Sequence, residues 1–208
     1  MNTELIMLLE ANMKKPMTPT LALAICEAAS KLHTLVPASA IDRIQPYGSD
    51  ECTFAVERIE NIIEEIKPLH LAHWQETEEH RHGLPFNPDY ATFIRYEQAG
   101  RYVLFTLRSH GRLLGNCAMY LDMSAHTQTL IATEDTLYLL PEARKGRRAM
   151  WFIKYIEDAL RELGAKEINI TVKTVNKAGR FFLMNGYRHV ENGLTKILEA
   201  ENVQLETA

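Results

Sequence analysis

Residues 135–156, DTLYLLPEARKGRRAMWFIKYI, constrain the fold more than any other stretch. DTLYLL is a short run of β-formers and apolar residues, as expected of a buried strand. Pro141 ends it, because the ring removes a ladder N–H. A tight cationic turn follows, with Arg144, Lys145, Gly146, Arg147 and Arg148. From Ala149 to Leu163 the apolar residues Trp151, Phe152, Ile153, Ile156, Ala159, Leu160 and Leu163 share one helical face. A strand that runs through a basic, glycine-containing turn into a helix N-terminus is an anion seat. Unpaired amides and the positive dipole end both point at the turn.

The spacing excludes two common phosphate sites. A Walker loop needs Gly, four residues and Gly-Lys-Ser/Thr, and the dinucleotide fingerprint needs G-x-G-x-x-G; neither is present. The stretch resembles the acetyl-CoA loop of the GNAT superfamily of N-acetyltransferases. That loop is a strand, a Pro, then Arg/Gln-x-x-Gly-x-Gly/Ala opening a helix. With Arg144 first and Ala149 last, Arg147 stands where the middle Gly is usual and Gly146 comes one residue early. This R-K-G-R form is similar to that of phage-encoded members. Residues 166–190 resemble the next unit of the family through INITVKT, Asn176, Phe181-Phe182 and Gly186-Tyr187. Residues 54–123 resemble its early helices and hairpin, so the likeness spans roughly 54–199.

The rest of the chain fits one α/β (α+β) domain with an appendage. The 208 residues carry a net charge of −4 and are 46% hydrophobic, enough for a full core and too acidic for a general nucleic-acid binder. Cys26, Cys52 and Cys117 are odd in number and far apart, which suggests reduced thiols in the cytoplasm. No apolar run approaches the length of a membrane span, and the N-terminus lacks a basic region before its apolar residues.

Residues 3–14 and 19–35 read as helices and 36–50 as a connector. Residues 1–48 are therefore expected to be an N-terminal helical extension, suited to a homodimer or a protein partner, and 49–208 the main domain. Residues 54–75 read as a helix broken at Pro68, and 90–100 as a short helix. Residues 102–109 and 113–123 read as a hairpin, 135–140 as the organising strand, 167–174 as another strand, 176–185 as a helix and 187–199 as closing strands. The family order implies the GNAT fold, a mixed and mostly antiparallel sheet flanked by helices.

The resemblance also implies a function: transfer of an acetyl group from acetyl-CoA to a primary amine of a small molecule or protein, by direct attack. Amides and cations of Arg144, Lys145, Gly146, Arg147, Arg148 and Ala149 would hold the pyrophosphate. Backbone groups of Leu139 and Leu140 would hold the pantetheine, with a backbone N–H near Leu139 as oxyanion donor. Asn176 would add a side-chain contact and Phe182 a wall. Asp135 is the preferred base, with Glu134 beside it; adjacent strand residues point to opposite faces, so at most one of them faces the cleft easily. The family's usual tyrosine acid falls on Phe182, which cannot donate a proton. That departure leaves water or Tyr138 to protonate the thiolate, or a CoA-binding or interaction module with little or no turnover. His73, Trp74 and Glu76 are expected to line the acceptor pocket. The run of histidines from His70 to His82 has neither HExxH nor finger spacing, so no metal is expected.

Overall fold

The computed structural model describes residues 3–30, 34–79, 85–174 and 178–196. The chain divides into two compact units, residues 1–70 with 88–171, and residues 71–87 with 172–208.

The first unit is built on a six-stranded sheet in the order β1-β2-β3-β4-β5-β6. The strands are β1 (Tyr47–Ser49), β2 (Cys52–Val56), β3 (Tyr102–Ser109), β4 (Arg112–Met123), β5 (Leu130–Leu139) and β6 (Glu167–Asn169). All neighbours are antiparallel except β5 and β6, which are parallel. The helices, in chain order, are α1 (Thr3–Ala11), α2 (Pro19–Ser30), α3 (Ala38–Ile41), α4 (Ile59–Thr77), α5 (Tyr90–Gln98), α6 (Arg148–Glu162) and α7 (Ala178–Met184). α4 begins in the first unit and ends in the second, which also holds α7. No helix among the described residues is long and apolar enough to cross a membrane.

Each face of the sheet takes its own helices. Phe54 on β2 and Phe105 on β3 meet Phe152 and Tyr155 of α6, with ring centroids 5.7–6.2 Å apart. The alternate residues Tyr102 and Asn116 meet α5 and α4: Phe93 stacks on Tyr102 at 5.4 Å, and His70 Nε2 lies 3.5 Å from Asn116 Nδ2. α6 buries Phe152, Ile153, Ile156, Ala159 and Leu160 of its expected apolar face, while Trp151, expected on the same face, is 48% exposed. It ends where Gly164 adopts φ 92°, which lets Gly164 N bond Arg161 O and Ala165 N bond Leu160 O. α5 starts on Asp89, whose carboxylate accepts the Thr92 amide at 3.0 Å.

Several expectations need correction. Residues 36–50 are more than a connector, because α3 and β1 lie there and Tyr47–Ser49 pairs with Cys52–Phe54. The same region is tied to α5, since the Leu35 and Val36 amides bond the carbonyls of Ala99 and Gly100. Phe54 and Val56 belong to β2, not to the following helix; their ladder to Leu107 and Phe105 outweighs a helical spacing that they happened to satisfy. α4 runs on through Pro68, and its non-helical residue is Ile62. β5 starts at Leu130, five residues before the expected strand. β6 stops at Asn169, and residues 187–196 form no strand. A strand needs a partner ladder, and none of the described residues supplies one there. Residues 31–33, 175–177 and 197–208, and with them parts of the expected helices 19–35 and 176–185 and of the closing strands, lie outside the described residues.

Candidate active site

The site is built on β5, because its two edges end at different points. Toward β4 the ladder runs the full length, from Met123↔Leu130 to Gly115↔Leu139. Toward β6 it covers Ile131, Ala132 and Thr133 alone. From Glu134 to Leu139 no strand pairs with that edge of β5 among the described residues. The register shows which backbone groups face it. The Leu140 amide bonds Leu114 O at 2.8 Å, which makes Gly115↔Leu139 and Cys117↔Leu137 non-hydrogen-bonded pairs. In such pairs the residues' own N–H and C=O point away from the partner strand. Leu137 and Leu139 thus turn these groups toward the open edge.

The turn after β5 is fastened to the strand. Arg144 Nε donates to Leu139 O at 2.7 Å, and its guanidinium lies over the Tyr138 ring, 5.1 Å from the centroid. Arg144 therefore braces the turn. Lys145, Gly146 and Arg147 are exposed, while Arg148 and Ala149 are half-buried. Arg147 is the N-cap of α6 and makes no side-chain cap bond. An arginine carries donors alone and cannot cap, so the first amides of α6 are left for an outside acceptor. Leu140 N–H is taken by Leu114, which leaves Leu139, and not Leu140, to offer an amide to a ligand.

Gly146 has φ 71°, and a Cβ built there meets nothing within 4 Å. Gly146→Ala should therefore cost about 1 kcal/mol of stability through the left-handed backbone alone. Chemical denaturation checks this, and a loss far above that value would mean that the turn packs against something.

Asp135 stands on a β-bulge. Ala118 pairs with Thr136 and Met119 with Glu134, so Asp135 has no opposite residue. The bulge overrides strict alternation. It brings the Asp135 carboxylate to the face that carries Tyr102, whose hydroxyl donates to Oδ2 at 2.9 Å. Burial pushes the Asp135 carboxyl above its ordinary value, and the Tyr102 bond pulls the other way. Glu134 has different surroundings, since its Oε2 accepts the Thr171 amide at 3.3 Å.

Beside Asp135 lies a buried polar chain that sequence reading missed. Asn116 Nδ2 donates to Thr136 Oγ1 at 3.0 Å, and His70 Nδ1 lies 3.2 Å from the Tyr90 hydroxyl. His70 is buried. The missed signal was its place at helical spacing from Ile59, Ile62, Ile63 and Ile66.

The remaining expected residues lie in the second unit. Trp74 packs on Phe86 at 5.9 Å, His73 O accepts the Thr77 hydroxyl, and Glu76 is exposed. Phe182 is buried, edge-to-face with Phe181 and Tyr187. Asn176, His80 and His82 fall outside the described residues. Among the described residues no group of three or more His, Cys, Asp or Glu side chains is arranged to hold a metal.

No protein-family profile matches the sequence, and no curated protein matches it. Solved structures do match the architecture. A ribosomal-protein-alanine N-acetyltransferase from Brucella melitensis biovar Abortus 2308 superposes with a TM-score of 0.56 at 17% identity, over 72% of this chain and 99% of its own. An aminoglycoside acetyltransferase from an uncultured soil metagenomic sample, solved with sisomicin, gives 0.57 at 10%, over 74% and 98%. Another aminoglycoside acetyltransferase, solved with a CoA-S-monomethyl-acetylneamine bisubstrate analogue, gives 0.55 at 14%, over 72% and 99%. The chain has the GNAT acetyltransferase fold.

Proposed function

We propose that this protein is an acetyl-CoA-dependent N-acetyltransferase acting on a primary amine. One observation carries the reading: β5 leaves its parallel partner at Thr133 and continues, with an open edge, into an uncapped and cationic helix start. The pantetheine arm of CoA is an extended chain of amides, and its groups match the N–H and C=O that Leu137 and the N–H that Leu139 present. The pyrophosphate suits the amides from Gly146 to Ala149 with Lys145, Arg147 and Arg148 around them. These residues fit the cofactor without any side chain having to be added.

Asp135 then takes the proton of the attacking amine through water, and the amine nitrogen forms a bond to the thioester carbonyl carbon. The oxyanion is held by the Leu139 N–H. The C–S bond breaks, and the thiolate takes a proton from water, since Phe182 has none to give. A second reading follows from that phenylalanine: a module that binds CoA but turns over slowly or not at all.

Calorimetric titration with acetyl-CoA and with CoA tests both. Micromolar binding that Arg147→Glu with Arg148→Glu removes is expected. Unchanged affinity in the double variant would overturn the loop assignment. Binding without acetyl transfer to any amine would select the second reading.

A further inference from the structure

Leu139 turns two backbone groups toward the β5 edge that no described strand covers, and one of them is already engaged. Arg144 Nε donates to Leu139 O at 2.7 Å, and the guanidinium lies 5.1 Å from the centroid of the buried Tyr138 ring. The two partners of this bond differ in their freedom to move. β5 is fixed beneath it, because the Leu140 amide bonds Leu114 O at 2.8 Å. Gly115, opposite Leu139, has no room even for a Cβ, which would stand 2.9 Å from Tyr138 O and closer still to the Leu139 side chain. Arg144 instead sits exposed on the turn, two residues before Gly146, around which there is open space.

An extended amide chain laid along this edge pairs as a further strand would, through the N–H and C=O of alternate residues. Leu137 presents both groups and Leu139 its N–H, while Arg144 covers the Leu139 carbonyl. A ligand that runs from Leu137 past Leu139 to the amides of Gly146–Ala149 meets the Arg144 side chain on the way. The strand is pinned, so the arginine is what yields. Giving up a charge-assisted bond and a ring contact is a net loss when the ligand offers no acceptor in return. A phosphate at the start of α6 offers one, within reach of the same turn.

We infer that Arg144 is a specificity-determining residue, whose bond to Leu139 O closes that end of the β5 edge to neutral thioesters and yields to phosphate-bearing ones. This rests on the acetyltransferase reading and names which thioesters its site takes. The guanidinium exchanges one acceptor, the Leu139 carbonyl, for another, a phosphate oxygen. For an anionic thioester the exchange is nearly balanced. A neutral thioester bears the loss alone.

Calorimetric titration of the full-length protein with acetyl-CoA and with S-acetylpantetheine, its neutral thioester portion, tests this. Arg144→Met keeps the aliphatic stem and removes the bond. It should tighten S-acetylpantetheine about three- to tenfold and weaken acetyl-CoA about threefold or more. Arg144→Lys keeps a charge for phosphate but lacks the planar Nε–H, so it should tighten S-acetylpantetheine and leave acetyl-CoA within about twofold. Shifts of opposite sign separate this role from simpler ones. A brace alone predicts that both ligands weaken in Arg144→Met. A phosphate ligand alone predicts no gain for S-acetylpantetheine, including no detectable binding before or after the change. Either result would overturn the inference, as would a tightening of acetyl-CoA in Arg144→Met. Acetyl-CoA binding by the unaltered protein reports separately: with it, a missing gain strikes this inference alone, and without it the acetyltransferase reading falls too.

Discussion

Asp135→Asn should lower kcat for acetyl transfer to butylamine by about 10²–10³-fold, with CoA affinity unchanged. The amide keeps the shape of the side chain and can still accept the Tyr102 bond, so the fold and the open edge of β5 remain. What is lost is the acceptor of the amine proton. The pH profile carries the second half of this prediction. Burial holds the carboxyl above its ordinary value, so kcat/KM should fall as the pH drops through that raised pKa and the base becomes protonated. Tyr102→Phe removes the one bond that lowers it, and the acid limb should move further up. Steady-state kinetics on the two variants decide the matter. Undiminished turnover in Asp135→Asn would remove this residue as the base, and an unmoved limb in Tyr102→Phe would remove its partner.

The largest pH effect on stability is expected from Glu97, far from the chemistry. It is buried on α5, and both carboxylate oxygens receive the Ile59 amide, at 3.2 and 3.3 Å. It thereby caps the first turn of α4. Burial nevertheless pushes its pKa from 4.5 up to about 7, against the Ile59 bond and the charge of Arg58. The folded state therefore binds its proton more tightly than the unfolded chain. Between the two values the folded state holds more protons, so stability falls as the pH rises and reaches its lower plateau above about 7. The difference is on the order of 3 kcal/mol, enough to move Tm by several degrees. Thermal melts at pH 5 and pH 8 should show it, and Glu97→Gln, which cannot ionise, should reduce the gap. An identical gap in the variant would assign the pH dependence to other groups.

Both residues show how far a linear reading reaches. Asp135 drew attention as an acid on the organising strand, but alternation alone set it against Glu134 without choosing a face. The bulge opposite Ala118 and Met119 makes the choice, and a bulge belongs to the pairing of two strands, not to either one. Glu97 carried no signal, because its cap lies on a helix that starts 38 residues earlier. Arg144 is the reverse case. Its place in the turn was plain, while its bond to Leu139 O and its stack on Tyr138 emerge only when the turn folds back.

The sequence by itself determined the local elements whose signals lie within a few residues. These are the hairpin 102–123, the helix read at 90–100, and the strand end, basic turn and helix read from Asp135 to Leu163. Period, caps and turn glycines act over one or two turns of chain, so they can be read in order. Tertiary structure alone decided that β2 is a strand and that β6 leaves β5 at Thr133. It also decided that His70 and Asn116 meet, and that Tyr96 and Tyr120 pack beside Tyr102. Each of these joins residues distant in sequence. Ladder pairing and packing across a sheet face hold them together, and no local periodicity records either.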